Sequence, residues 1–124
     1  MGRSSRHLVS LLKVELEDVK SDLRILEGIL VSRIGLREIT DYVYNENTAL
    51  LEREIAGVDR LRATLDSLTQ EELDLPVEEF APLLQAKLSW EIGRRQIPEA
   101  VRPLVLRRLN KVVTFLTPEE LVVP

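Results

Sequence analysis

The stretch LVSLLKVELEDVKSDLRILEGILVSRIGL, Leu8 to Leu36, decides how the rest of the chain reads. Leu12, Leu16, Val19, Leu23, Leu26 and Leu30 recur at alternating spacings of four and three. That is the seam of helices packed along their length. Leu8, Leu11 and Ile25 widen the stripe beyond two positions per heptad, which suits a bundle better than a bare zipper. Lys13, Glu15, Glu17, Asp18, Lys20, Asp22, Arg24 and Glu27 form a solvated face between them. Same-helix ion pairing is poor, because Glu17 precedes Ser21 and Lys20 precedes Arg24. Packing therefore has to stabilise this helix. Ser4 or Ser5 is placed to cap its start.

Downstream, Leu36, Ile39, Val43, Leu50, Leu51, Ile55, Val58, Leu61, Leu65 and Leu68 keep helical spacing, with a shift of the seam near Asn45 to Asn47. Gly35 is the natural left-handed residue to end the first helix. Two long helices joined by so short a break fold into an antiparallel hairpin. The rival is one rod running through Gly35, since a single glycine costs only about 1 kcal/mol inside a helix. That rod would need a partner chain to cover both stripes.

Thr69-Gln70-Glu71-Glu72 has capping-box form, and Pro76 disfavours helix in the residue before it. The hairpin therefore spans 1–75, and 76–124 is a short-helix segment packed on it or extending it. Pro82 to Arg95 reads as a third helix, with Val77–Ala81 as a lead-in turn and Leu84, Leu88 and Ile92 as its apolar line. A fourth runs from Pro98 or Pro103 to Leu116, with Val105, Leu109, Val112 and Leu116 inward. Leu116 to Pro124 echoes Leu68 to Pro76, as two capping boxes that end helices. The apolar Leu121 to Pro124 suits a docked tail or a cut from something longer. The expected fold is all-α: a long coiled-coil-like hairpin plus two shorter C-terminal helices in an elongated bundle.

The 124 residues are 44% hydrophobic and 4% aromatic, so the core is aliphatic. Elongated rods bury little for their length, and a homodimer would remedy that. Without cysteine, no disulfide, thiol nucleophile or thiolate metal site is possible, which suits the cytoplasm. No apolar run reaches the roughly 18 residues of a membrane span, and charges interrupt any signal-like start. The net charge of −4 argues mildly against a dedicated nucleic-acid binder. Residues 66–91 carry seven acids against Lys87, and residues 92–115 carry six bases against Glu99. Such blocks can pair within the chain or between copies.

Two groups of residues stand out. Tyr42, Tyr44, Asn45, Glu46 and Asn47 lie mid-helix, where asparagine is a poor helix former. They read as a polar layer fixing register, or as a small-ligand pocket of Tyr42, Glu46 and Arg53. Arg94, Arg95, Arg102, Arg107, Arg108 and Lys111 could meet phosphates, although no interleaved aromatics support base stacking. The alternative is a solvated face paired with the acidic segment around 66–79. Phe80 and Trp90 read equally as interface anchors or as core. His7 is the sole histidine, and no Glu-x-x-His pair, glycine-rich phosphate loop or Ser/His/Asp set occurs. The expectation is a non-enzymatic interaction or scaffold module without cofactor or metal that self-associates through its hairpin. A nucleic-acid-associated module using the arginine-rich last helix and a ligand-binding bundle are the alternatives.

Overall fold

The structure, a computed structural model, describes the backbone of residues 2–117 and the side chains of residues 5–117. The all-α expectation holds, with five helices: α1 Gly2–Gly35, α2 Asp41–Asp66, α3 Gln70–Leu73, α4 Val77–Arg94 and α5 Val101–Leu116. The expected echo at Leu116 to Pro124 and the tail reading fall largely outside the described residues.

α1 and α2 run antiparallel. Lys13 binds Asp66, Glu17 lies 3.4 Å from Arg62, and Lys20 Nζ lies 2.6 Å from Asp59. As the α1 number climbs, its α2 partner falls by the same step, so the register is constant. The rod through Gly35 is therefore excluded. The turn corrects the sequence reading, however: Gly35 is not the left-handed residue, and Arg37 is, at φ 60°. Glu38 N–H donates to the Arg33 carbonyl and Arg37 N–H to the Ile34 carbonyl, which satisfies the last carbonyls of α1. Thr40 then caps α2, its Oγ1 accepting from Val43 N at 3.1 Å, so α2 starts five residues after Leu36.

Ser5 is no cap. It sits inside α1, buried, and its hydroxyl donates to the Leu75 carbonyl. The capping box at Thr69 forms as expected, with Thr69 and Glu72 exchanging bonds at 2.9 and 3.1 Å. The lead-in turn before Pro82 does not exist: α4 is continuous from Val77, with Pro76 at its N-cap and Pro82 inside. Pro82 is exposed, so water can serve the carbonyl its missing N–H leaves free.

α4 and α5 lie across the end of the α1–α2 pair that carries Ser5 and Asp66. One core joins Leu8, Leu12, Leu16 and Val19 to Val58, Leu61 and Leu65, to Phe80, Leu84, Leu88 and Ile92, and to Val101, Val105 and Leu109. Gly57 admits the α4–α5 connection, since a Cβ there would meet an Ile97 methyl at 2.5 Å. Here four helices make a closed base. At the other end α1 and α2 continue alone.

Candidate functional site

The base stops abruptly. Leu23 is the last buried residue of α1 and Leu51 the first of α2. Beyond them Ile25, Leu26, Ile29, Val31, Leu36, Tyr42, Val43 and Leu50 are all exposed, with Ile25 at 62% and Leu36 at 68%. These residues make up the tip of the α1–α2 pair. Scattered exposed apolar side chains need no explanation, but a contiguous row of them does.

The row is continuous with the buried one. Eighteen residues make five helical turns, so residues that far apart share one angle on a helix. Leu8, Leu11 and Leu12 thus align with Leu26, Ile29 and Leu30. In the base, Leu8 and Leu12 are fully buried beneath the other helices. At the tip the same angles open onto a groove of about 300 Å³ lined by Leu26, Ile29, Leu30, Arg33, Asn47, Leu50 and Leu51.

Electrostatics divide in the same way. Glu15 is held by Arg108 Nη1 at 2.8 Å and by Lys111 Nζ at 3.2 Å. Arg108 also reaches Asp18 at 2.6 Å and Asp22 at 3.1 Å. The Arg108 guanidinium holds the Glu15 carboxyl below its usual value. Arg33 stands at the Glu15 angle one repeat along, and nothing packs over it. Among the described residues, no ion pair involves a residue from Ile25 to Val58.

These contacts correct the basic patch. Arg108 does not face solvent opposite the apolar line of α5; it lies half-buried across three acids of α1, with Lys111 beside it. The acids that neutralise them are therefore in α1, not in the 66–79 segment. Arg94 and Arg95 grip Glu91 at 3.4 and 2.9 Å, and Arg102 grips Glu99 at 2.9 Å. Arg95 draws the Glu91 carboxyl down, and Arg102 does the same to Glu99. Of the six bases, Arg107 alone is exposed without an acid beside it among the described residues.

Phe80 is fully buried in α4 and cannot anchor a partner. Trp90 is 63% exposed, and the Arg94 guanidinium sits 4.9 Å from its ring centre. Of the mid-helix polar group, Asn47 lines the tip groove and donates to the Val43 carbonyl at 2.8 Å. Tyr42, Tyr44, Asn45 and Glu46 do not line it, and Arg53 lines a different cavity, beside Gly57 and Ile97.

Three features escaped the sequence reading. Arg33, which lines the tip groove, was not singled out. The bareness of Ile25, Leu26 and Ile29 was missed, although helix lengths hold the signal: α4 and α5, with 18 and 16 residues, cannot cover an α1 of 34. Glu54 is the third. It is buried at the boundary of base and tip, and desolvation pushes its carboxyl up. Among the described residues no hydrogen bond or ion pair holds it.

No group of three or more His, Cys, Asp or Glu is arranged to hold a metal among the described residues. No helix among them is long and apolar enough to cross a membrane. Comparison with family models, with curated proteins and with solved structures finds no match, so any functional reading rests on the geometry of this chain.

Proposed function

We propose that this chain is a non-enzymatic interaction module: a closed helical base holding out an apolar two-helix tip for other helices to cover. The observation that carries the reading is the exposed set Leu26, Ile29, Val43 and Leu50; Leu8 and Leu61, which share the angles of Leu26 and Val43, are fully buried in the base. Leaving such a row in water forgoes about 25 cal/mol per Å² of apolar surface. A helix-on-helix contact recovers it, and the shallow groove matches the knob-and-hole packing of a bundle. A reducing, cytoplasmic setting belongs to the same proposal and suits a chain without cysteine.

The test is a photoreactive residue placed in cells at Ile29 or Leu50, with Glu78 in the base as control. Cross-linking confined to the tip positions supports the reading. Equal labelling at Glu78, or none anywhere, defeats it.

The nucleic-acid alternative loses ground because Arg108 and Lys111 are spent on α1. It predicts low-salt binding of labelled DNA or RNA that Arg107→Glu abolishes. Of the polar layer that the ligand alternative needs, only Asn47 lines the tip groove, which is open and at the small end of ligand-site volumes.

A further inference from the structure

Resting on that reading, we infer that what covers the tip is a second copy of this chain, its own tip laid antiparallel on the first to close a central four-helix bundle. Three observations select this occupant.

The first is steric. The face left bare at the tip is the face that α4, α5 and their connection occupy in the base, where Ile97 meets Gly57. A second copy pointing the same way would drive one base into the other. Pointing the opposite way, it lays its tip on the bare shelf and its base projects beyond the far end. The shelf, Leu23 to Gly35 on α1, is about 18 Å long at 1.5 Å per residue. The incoming tip has the same length by identity.

The second is register. The groove is centred between Ile29 and Leu30 on α1. The Lys20–Asp59 register, carried ten residues on, puts Ala49 opposite Leu30. A two-fold axis at that level sets Ile29 against Leu30 of the second copy, and Leu26 beneath the aliphatic stem of its Arg33.

The third is charge. Glu46, Leu50 and Arg53 are spaced by four and three and form one stripe along the edge of the groove. The same axis passes beside Leu50. It therefore brings Glu46 of each copy to Arg53 of the other, two identical pairs from one symmetry operation. Glu46 and Arg53 are two turns apart in their own helix, too far to pair there. In the single chain both are exposed and neither makes an ion pair among the described residues. The tip carries both signs, which gives an anionic lipid surface or a nucleic acid no field to read.

The experiment uses the purified full chain. Sedimentation equilibrium at tens of micromolar should give twice 14.2 kDa. Ile29→Glu and Leu50→Glu should each return the mass to one chain while helical circular dichroism and the unfolding midpoint of the base persist. Glu46→Arg and Arg53→Glu singly should weaken the dimer about three- to tenfold, and the double variant E46R/R53E should restore it. Leu50→Cys should oxidise to a linked dimer, because it lies by the axis, whereas Ser10→Cys in the base should not. A chain that stays single at hundreds of micromolar overturns the inference, as does a double variant no better than the singles. If the chain stays single and Ile29 still cross-links to a different protein in cells, the second copy is wrong and the interaction module stands. If neither happens, both fall.

Discussion

Leu8, Leu11 and Leu12 in the base and Leu26, Ile29 and Leu30 in the tip occupy identical angles on one unbroken helix. Leu8 and Leu12 are fully buried, whereas Leu26 and Ile29 are exposed and Leu30 is only partly covered. Base and tip thus share a pattern and differ in what lies over it. The difference teaches that apolar periodicity specifies which face wants covering, while the cover itself is set by how far the later helices reach. The charges repeat the lesson, since Glu15 is clamped by α5 and Arg33, at the same angle, has no counterpart above it.

The sharpest way to break this comparison is to cut into each half. Phe80→Ala empties a fully buried ring site and should cost about 3–5 kcal/mol in denaturant unfolding. Val31→Ala at the tip, 56% exposed, should cost less than about 1 kcal/mol. Equal costs would mean the tip is covered within the single chain.

Next in size is the clamp. Arg108→Ala leaves Glu15, Asp18 and Asp22 without their shared base, and Glu15 is half-buried. A loss of about 1–3 kcal/mol is expected, shrinking at high salt. Arg107→Ala, next door, should stay within about 0.5 kcal/mol. Matching losses would dissolve the distinction between them.

Glu54, at the boundary, should respond with the opposite sign. Burying an unheld carboxylate costs free energy, so Glu54→Gln should raise stability by about 1 kcal/mol at neutral pH. Its folded value lies above the ordinary 4.5, so the folded state prefers the proton there. Stability should rise as pH falls from neutral through that raised value toward 4.5. Glu15, Glu72 and Glu91 are drawn below 4.5, Glu72 chiefly by Lys87 and Glu91 by Arg95. What they contribute is complete above 4.5 and is lost as pH drops through their lowered values. The unfolding midpoint should therefore peak in mild acid. Glu54→Gln should remove the slope on the neutral side only; an unchanged slope there would show Glu54 to be solvated.

The smallest effect belongs to the turns. Arg37 at φ 60° and Gln96 at φ 54° hold left-handed backbone without being glycine. Arg37→Gly should gain a few tenths up to about 1 kcal/mol in thermal unfolding, and Arg33→Gly, inside α1, should lose about 1.

Much of this was legible in the residues. The leucine seam of α1, the capping box at Thr69 and the inward lines Leu84-Leu88-Ile92 and Val105-Leu109-Val112 follow from local spacing, and the structure keeps them. Local spacing could not show that Arg37 takes the left-handed position two residues after Gly35, because that depends on where α2 must start. Nor could it show that Arg108 turns toward α1 instead of solvent, because its partners lie 86 to 93 residues earlier in the chain. The basic cluster was visible as composition, but its neutralisation is tertiary. The tip was hidden for a similar reason: exposure is a property of what does not reach a residue, and no residue encodes that on its own.

The clamp between α1 and α5 also has a consequence in time. Glu15 waits 93 residues for Arg108 and 96 for Lys111. At roughly 5–20 residues per second on the ribosome, the first helix made spends about 5–20 s before the helix that shields it has been synthesised. During that interval α2 can already pair with α1, but the side of α1 that α5 will cover stays open, so the newborn chain depends on whatever shields that side until α5 emerges.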